Sequence, residues 1–246
     1  MDFSGKTVLI TGAGSGIGLA TAELLASKSA ARLILVDRDG DSLKRVQFPC
    51  ETTLVEGDVS SDEFWARTEI GPIDHAVVNA GVAGAGPIEK LAFAEWRRVL
   101  AVNLDGAFLT LKACMHAIRE GGSIVGVASA AGLKAEPGVA AYAASKAAVI
   151  QLMRVAAKEA APRNVRVNVI APGGVETPIW DAVPMFAQRA GQIGRDAAFA
   201  EMGAMATPLK RYAKAEEIAE QIAFLLSDAC RTVTGTVFVS DGGYTL

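Results

Sequence analysis

A tyrosine and a lysine lie four residues apart near the start of a long alanine-rich stretch, at Tyr142 and Lys146. If this stretch is helical, the two side chains share one face of the helix. An ammonium there favours the ionised form of a neighbouring phenol, and a phenol tuned in this way can act as a general acid–base near neutral pH. Ser129 follows an apolar run, and its hydroxyl could hydrogen-bond a carbonyl oxygen at the end of a strand. Such a pair alone is more often two surface residues, so the surrounding elements decide the interpretation.

The glycine-rich segment from residue 11 to residue 18 predicts a binding loop for a dinucleotide. It lies between a short apolar run and a predicted helix, and its glycines Gly12, Gly16 and Gly18 follow a Gly-x3-Gly-x-Gly pattern rather than the strict Gly-x-Gly-x-x-Gly. Glycines allow a tight turn and close approach to a pyrophosphate, while a helix N-terminus supplies N–H groups and positive dipole charge. Taken alone, the loop could also be a turn without a ligand.

An acidic residue, Asp37, ends the second predicted strand, 19 residues after Gly18. A carboxylate there can accept hydrogen bonds from the adenosine ribose of NAD, and it would repel the 2′-phosphate of NADP. Arg38 could stack on adenine or contact a phosphate, but Ser15 leaves the loop without a basic residue. The pattern therefore favours NAD, although residues 37–40 also fit an ordinary strand-end turn.

Strands and helices alternate along the whole chain. The sequence predicts buried strands at residues 6–10, 32–36, 53–56, 74–78, 123–128, 166–170 and 237–240. It predicts helices at residues 17–27, 93–119, 141–161 and 216–226. Apolar strands separated by helices indicate a mostly parallel sheet with both faces covered, an α/β fold of the doubly wound Rossmann type. We expect one domain over residues 1–246, with an irregular binding loop or lid at about 172–212.

The composition excludes several classes of protein. The chain has 246 residues and a net charge of −3, and the absence of a basic cluster argues against a nucleic-acid partner. Its apolar runs are much shorter than the roughly 20 residues of a membrane span, and no secretory signal is visible at the N-terminus. Three scattered cysteines and two separate histidines fit neither a disulfide framework nor a metal site. We expect a cytoplasmic protein without a metal ion.

Taken together, these residues resemble the short-chain dehydrogenase/reductase family, in its branch of about 250 residues. The resemblance covers essentially the whole chain. It rests on the glycine loop of residues 11–18 and on further positions that match in order, namely Asp58, Asn79-Ala80-Gly81, Asn103, Ser129, Tyr142-x3-Lys146, Pro172-Gly173 and Asp241-Gly242-Gly243. Val78 departs mildly from the pattern, because family members often have a second asparagine there.

The resemblance implies an oxidoreductase that transfers a hydride between NAD(H) and a secondary alcohol or ketone. Tyr142 would exchange a proton with the substrate oxygen, and Ser129 would orient that oxygen. Lys146 would bind the nicotinamide ribose, lower the pKa of the tyrosine and relay protons. Asn103 would hold a water in that relay, or serve as a structural amide at a helix bend.

The resemblance also implies the remaining contacts of the cofactor. Residues 58–59 would contact adenine, residues 79–81 would line the adenosine ribose, and residues 172–177 would bind the carboxamide end of the nicotinamide. The full set expected to bind the cofactor is Gly12, Ser15, Gly16, Ile17, Gly18, Asp37, Arg38, Asp58, Val59, Asn79, Ala80, Gly81, Tyr142, Lys146, Pro172, Gly173, Val175 and Thr177.

Large apolar side chains in the segment at about 175–212 favour a lipophilic or alicyclic substrate. Some of them could instead pack this substrate loop onto the body of the protein. They are Trp180, Val183, Met185, Phe186, Met202 and Met205. Arg189 and Arg195 lie in the same segment, and we expect both to be solvated.

Two other functions stay open at this point. A reductase of carrier-protein-bound 3-ketoacyl groups would use NADPH and present basic residues to an acidic carrier. Asp37 argues against NADPH, and the sparsely basic residues 116–119 argue against such a docking surface. A non-catalytic dinucleotide-binding regulator could share the fold, since fold does not fix function. The resemblance further implies a homotetramer or homodimer whose interfaces involve the helices around 93–119 and 142–161 and the last strand.

Overall fold

Seven parallel strands form one sheet in the computed structural model, which describes residues 1–246. The strands are β1 (Thr7–Thr11), β2 (Arg32–Asp37), β3 (Glu51–Glu56), β4 (Ile73–Val78), β5 (Ile118–Val127), β6 (Arg166–Pro172) and β7 (Val237–Ser240). Their order is β3-β2-β1-β4-β5-β6-β7, and every neighbouring pair is parallel. The strand order reverses between β1 and β4, which opens a crevice at the carboxyl ends of these strands.

Helices cover both faces of the sheet. They are α1 (Gly16–Ser27), α2 (Gly40–Lys44), α3 (Asp62–Arg67), α4 (Phe93–Leu100), α5 (Gly106–Ala117), α6 (Ala140–Ala160), α7 (Pro184–Ile193), α8 (Arg195–Ala206) and α9 (Ala215–Leu226). One apolar core contains side chains of α1 and α9, and a second contains side chains of α5 and α6. The doubly wound Rossmann-type fold expected from the sequence is confirmed.

Alternation along a single strand explains why both cores are apolar. In β1, Val8 and Ile10 belong to the α1/α9 core, while Leu9 between them belongs to the α5/α6 core. All three side chains are fully buried. Because successive side chains point to opposite faces, a strand covered on both sides must be apolar at every position.

The helix predicted over residues 93–119 is interrupted and ends earlier. Helix α4 runs into a π-helical turn at Ala101–Asp105 before α5 begins, and residues 118–119 already belong to β5. The turn brings Asn103, at its centre, into the protein interior. A single π turn inside a helix is rare and often occurs at functional sites.

The segment predicted to be irregular, residues 172–212, contains two α-helices, so that expectation is wrong. Pro184 begins α7, where its fixed φ suits the first helical turn, and Gly194 separates α7 from α8 with a φ of +86°. An aromatic cluster joins the segment, with the Phe186 and Phe199 ring centroids 4.4 Å apart. Prolines and glycines here mark helix boundaries rather than continuous irregular structure.

Arg189 and Arg195 both form ion pairs at the surface, with side chains 39% and 40% exposed, and neither lines the cleft. Arg189 pairs with Glu201 and thereby links α7 to α8. Arg195 pairs with Asp181 and donates to the carbonyl oxygen of Thr177 at 2.8 Å. These contacts hold the two helices against the segment that follows β6.

The structure contains no helix with the length and apolar character needed to cross a membrane. It also contains no group of three or more histidine, cysteine or acidic side chains placed to hold a metal ion. All three cysteines are free thiols.

Candidate active site

A cleft of about 570 Å³ opens at the carboxyl edge of the sheet. It is lined by the ends of β1, β2, β4, β5 and β6, by the start of α6 and by the segment after β6. Every residue predicted to bind the cofactor lines this cleft except Gly18. Ser129, Tyr142 and Lys146 line it as well, whereas Asn103 lies behind its wall.

The glycine loop has a backbone that larger residues could not adopt. Gly12 and Gly16 have φ angles of +68° and +54°. A Cβ on Gly12 would lie 2.9 Å from the Cα of Ala80, and one on Gly18 would lie 2.1 Å from the carbonyl oxygen of Gly12. Gly18 therefore lets α1 pack tightly on the loop, which explains why it does not line the cleft. A bare loop that opens a helix fits the pyrophosphate of a dinucleotide.

Thr11 and Asn79 lock the ends of β1 and β4 together. The Thr11 hydroxyl accepts hydrogen bonds from the backbone N–H groups of Asn79 and Ala80, at 3.1 and 3.2 Å. The Asn79 amide donates to the carbonyl oxygens of Thr11 and Gly12, at 2.9 and 3.2 Å. Sequence reasoning missed Thr11, although its place as the first residue of the glycine motif was a usable signal.

Asp37 lies at the end of β2 with its carboxylate facing the glycine loop. One oxygen accepts from the backbone N–H of Gly14 at 2.8 Å, and the other accepts from that of Asp39 at 3.0 Å. The side chain is half-buried and lines the cleft beside Arg38. Each oxygen keeps acceptor capacity for a further donor, such as a ribose hydroxyl.

Ser129, Tyr142 and Lys146 converge from two elements. Ser129 follows β5, and its hydroxyl accepts from the N–H of Ala131 at 3.1 Å, which caps a short 3-10 helix. Tyr142 lies in the first turn of α6, and Lys146 lies one turn later on the same face. The Lys146 ammonium donates to the carbonyl oxygen of Val127 at 3.0 Å and lies 5.8 Å from the Tyr142 ring centroid.

Burial dominates the protonation of this pair. It lowers the pKa of Lys146 to about 8, because the ammonium loses its hydration. It also raises the pKa of the Tyr142 phenol, and interaction with the Ser129 hydroxyl acts in the opposite direction. The lowered tyrosine pKa expected from Lys146 is therefore not found, because burial outweighs the other influences. The phenol is therefore protonated at neutral pH, as a proton donor to a carbonyl oxygen must be.

Asn103 acts on the cleft through the backbone of Val82. Its Oδ1 accepts from the Val82 N–H at 2.8 Å, and its Nδ2 donates to the Val82 carbonyl oxygen at 3.0 Å and to the Ser145 hydroxyl at 3.1 Å. A Cβ on Gly81 would lie 3.3 Å from both Asn103 Oδ1 and Lys146 Nζ. Asn103 thus lies directly behind the cleft wall at the position of the lysine.

Comparison with known proteins identifies the family. A family model described as enoyl-(acyl carrier protein) reductase matches residues 12–245. A cis-4-hydroxycyclohexanecarboxylate dehydrogenase from Sinomonas cyclohexanicum is 36% identical over 99% of this chain and 98% of its own. A 3-oxoacyl-[acyl-carrier-protein] reductase from Thermotoga maritima is 37% identical over 99% of both chains. The crystal structure of levodione reductase matches with a TM-score of 0.88 and 37% identity, over 99% of this chain and 98% of that one.

The chain belongs to the short-chain dehydrogenase/reductase family. It is an oxidoreductase of that family, whose members bind a nicotinamide dinucleotide. The resemblance inferred from the sequence motifs is confirmed over the whole chain.

The segment predicted as the substrate loop of this short-chain dehydrogenase/reductase contributes mostly apolar side chains to the cleft. Four of the six residues expected there do line the cleft, namely Trp180, Val183, Met185 and Met202. Phe186 is fully buried in the aromatic cluster beneath the segment, and Met205 is 74% exposed outside the cleft.

Sequence reasoning missed several lining residues from other parts of the chain. Glu136 lies between the two catalytic elements, and Tyr212 and Tyr244 come from the C-terminal region. The terminal Asp241-Gly242-Gly243 motif directly precedes Tyr244 and was a usable signal for it. Nothing in the sequence around Glu136 marked that residue.

Proposed function

We propose that this oxidoreductase transfers a hydride between NAD(H) and a secondary alcohol or ketone, using Tyr142 as the general acid–base. The observation that carries the proposal is the convergence of Ser129, Tyr142 and Lys146 on one wall of a cleft that also contains the glycine loop and Asp37. A hydroxyl, a phenol and an ammonium beside a dinucleotide loop form the parts of a site for carbonyl reduction.

In the proposed mechanism, the nicotinamide cofactor supplies or accepts the hydride when bound. The Ser129 hydroxyl and the Tyr142 phenol hold the substrate oxygen, and Tyr142 gives it a proton during ketone reduction. That donation leaves a phenolate, which the positive charge of Lys146 favours. In alcohol oxidation the Tyr142 phenolate takes the proton from the substrate hydroxyl. Asn103 keeps the wall behind Lys146 in place through Val82, and we propose that a water at this wall extends the proton relay.

The remaining predicted residues would hold the cofactor. In this proposal the glycine loop binds the pyrophosphate, Asp58 and Val59 contact adenine, and residues 79–81 line the adenosine ribose. Pro172, Gly173, Val175 and Thr177 would bind the carboxamide end of the nicotinamide. All of these predicted positions except Gly18 line one continuous cleft, which supports the assignment.

Asp37 is the basis for proposing NAD rather than NADP. Its carboxylate is fixed by two backbone N–H groups and faces the loop at the end of β2. A ribose 2′-hydroxyl can donate to it, whereas a 2′-phosphate would meet a fixed negative charge. Arg38 lines the same end of the cleft and would lie near the adenine.

The apolar lining supports a lipophilic or alicyclic substrate. Trp180, Val183, Met185 and Met202 offer ring and thioether surfaces to an uncharged carbon skeleton. The relatives described as levodione reductase and cis-4-hydroxycyclohexanecarboxylate dehydrogenase have names that denote six-membered carbon rings, which supports the same substrate class. We propose that residues 175–212 form the substrate loop.

A second candidate function is reduction of a 3-oxoacyl carrier protein, favoured by the Thermotoga maritima relative. Such an enzyme would need a basic docking surface for an acidic carrier and would prefer NADPH. Arg119, one of the few cations near the end of α5, is paired with Asp74 at 2.9 Å. This pair and the carboxylate of Asp37 favour the alcohol dehydrogenase proposal.

The proposed assembly is a homotetramer or homodimer in the cytoplasm. Large apolar side chains are exposed on α4, α5 and α6, including Phe93, Phe108 and Val155. Exposed apolar surface of this kind is typical of a protein–protein interface. Light scattering after size exclusion will measure the assembled mass. The three free thiols support a reducing compartment.

The test is the initial rate at 340 nm with NAD or NADP and a panel of aliphatic, cyclic and aryl secondary alcohols. We expect reduction of NAD with a cyclic alcohol, and a loss of about 100-fold or more in kcat/KM in Tyr142→Phe. Calorimetric titration with NADH checks that this variant still binds the cofactor. Activity with NADP alone, together with turnover of a 3-ketoacyl thioester, would support the carrier-protein reductase instead.

A further inference from the structure

Glu136 and Tyr244 supply a second polar position in the cleft, in addition to the Ser129 and Tyr142 hydroxyls. Glu136 lies between Ser129 and Tyr142 in the chain and lines the same cleft as both. The other charged residues that line the cleft belong to the proposed cofactor contacts or to the catalytic pair, namely Asp37, Arg38, Asp58 and Lys146. Glu136 is therefore the one charged side chain of the cleft that remains for the proposed substrate end.

The C-terminal segment is tied to the catalytic edge of the sheet. The Gly173 N–H, just after β6, donates to the carbonyl oxygen of Ser240 at 2.9 Å. The Asp241 carboxylate then accepts from the backbone N–H and the hydroxyl of Thr245, at 2.8 and 2.6 Å. These bonds close a turn around Tyr244, whose half-buried ring borders the cleft.

Lys134 contacts both Glu136 and Tyr244. Its ammonium donates to the carbonyl oxygen of Tyr244 at 2.7 Å and lies 4.4 Å from the centre of the Tyr244 ring. The same ammonium lies 3.8 Å from the Glu136 carboxylate. Lys134 does not itself line the cleft, so its charge positions Glu136 and Tyr244 without being presented to a substrate.

The Tyr244 phenol is protonated beside the Glu136 carboxylate. Burial raises the pKa of Tyr244 to about 12, and the neighbouring Glu136 carboxylate acts in the same direction. The phenol is therefore protonated at neutral pH and available as a donor. A carboxylate has capacity for further donors, and hydrogen bonds to a charged acceptor are stronger than those between neutral groups.

We propose that Glu136, positioned by Tyr244 and Lys134, accepts a hydrogen bond from a second hydroxyl of the substrate, remote from the carbon that reacts. The substrate class is then a neutral alicyclic diol, with the corresponding hydroxyketone as its oxidised form. A carboxylate at the same position would be repelled by Glu136. This inference rests on the proposed function, since it takes Ser129 and Tyr142 as the site of the reacting oxygen.

The test compares trans-1,4-cyclohexanediol with cyclohexanol, which lacks the second hydroxyl. In the wild type we expect a higher kcat/KM for the diol. In Glu136→Gln the ratio of the two kcat/KM values should fall roughly tenfold or more, mainly through KM, because a remote contact contributes binding in the ground and transition states alike. Tyr244→Phe, which keeps the ring under Lys134, should lower the ratio by a smaller factor.

Glu120→Gln is the matched control, because Glu120 is an exposed glutamate outside the cleft. It should leave the ratio at its wild-type value. A ratio that Glu136→Gln does not change, or that Glu120→Gln changes equally, overturns the inference.

Binding without turnover separates this inference from the proposed function. Calorimetric titration of the NADH-loaded protein with the diol gives a dead-end complex, since both partners are in their reduced form. Weaker diol binding in Glu136→Gln than in the wild type supports the inference even if no alcohol of the panel is oxidised. Equal binding in both proteins, or no binding to the wild type, contradicts it. The proposed function stands or falls separately, on the rate with cyclohexanol.

Discussion

The side-chain amide of Asn103 binds both backbone polar groups of Val82, accepting from its N–H at 2.8 Å and donating to its carbonyl oxygen at 3.0 Å. Asn103 is 1% exposed and lies in the π-helical turn between α4 and α5. Val82 lines the cleft, so one buried amide connects a helix irregularity to the wall beside Lys146.

Asn103→Ala should therefore reduce both stability and turnover. Removing the amide leaves the N–H and carbonyl of half-buried Val82 without this partner, at a cost of up to about 1–3 kcal/mol for each group. The wall beside Lys146 then loses its support, and kcat should fall about tenfold or more. Urea unfolding and initial rates, measured at a temperature where the variant is folded, check the two effects.

Asn168→Ala is the matched control for that change. Asn168 is also 1% exposed, and its amide also bridges two backbone groups, donating to Val233 and accepting from Thr236. It does not line the cleft. We expect a comparable loss of unfolding free energy with little change in kcat. An equal loss of kcat in both variants would show that Asn103 acts through general stability alone.

Gly18→Ala should weaken NADH binding. The added Cβ would lie 2.1 Å from the Gly12 carbonyl oxygen, so α1 must move away from the glycine loop. Restoring the loop to its ligand-binding shape against this overlap costs about 1–3 kcal/mol, which corresponds to a roughly 5- to 150-fold larger dissociation constant. Calorimetric titration measures the dissociation constant of NADH. Gly191→Ala in α7 is the control, because its Cβ meets nothing within 4 Å and alanine favours a helix.

Asp37→Ala should shift the enzyme from NAD towards NADP. The variant loses the acceptor for the ribose hydroxyl, and hydrogen bonds to a charged group contribute about 1.5–3 kcal/mol. We expect the ratio of kcat/KM for NAD over NADP to fall roughly tenfold or more. Asp41→Ala, at an exposed acid of α2 outside the cleft, controls for local charge. An unchanged ratio in Asp37→Ala would falsify the assignment of NAD specificity to this residue.

Acid should destabilise the protein through His75. Its Nδ1 lies 2.8 Å from the Ser123 hydroxyl, and that hydroxyl donates to the Leu226 carbonyl oxygen, so the neutral ring is the donor to Ser123. Burial lowers the pKa of His75 from 6.5 to about 4. Between these values the unfolded state binds the proton and the folded state does not. The stability due to this group is therefore present above pH 6.5 and falls by about 3 kcal/mol as the pH drops to 4.

His75→Asn tests this linkage, because the asparagine amide can still donate to Ser123 while it does not titrate. The difference in unfolding free energy between pH 7 and pH 4.5 should shrink in this variant. His116→Asn, at the exposed histidine of α5, should keep the wild-type difference. If both variants behave like the wild type, other groups account for the acid sensitivity.

Local sequence patterns were sufficient to predict much of this protein's fold. The all-apolar β1, the glycine run after it and Asp37 at the end of β2 predicted a doubly wound sheet and a dinucleotide loop. These predictions succeed because they depend on local structure. A turn with positive φ favours glycine, and a strand buried on both faces requires consecutive apolar residues. The period of one helix was sufficient to predict that Tyr142 and Lys146 lie on the same face.

Tertiary structure decided the features that depend on distant partners. The bond between Asn103 and Val82 and the ion pair of Arg195 with Asp181 join groups 21 and 14 residues apart, which no helix or strand period connects. The position of Glu136 against Tyr244 is of the same kind, because 108 residues separate them and no period or motif links them. The sequence by itself determined the fold and the chemistry of the cleft. Only the packing of the C-terminal turn against the segment after β5 decided that Glu136 and Tyr244 line the same cleft.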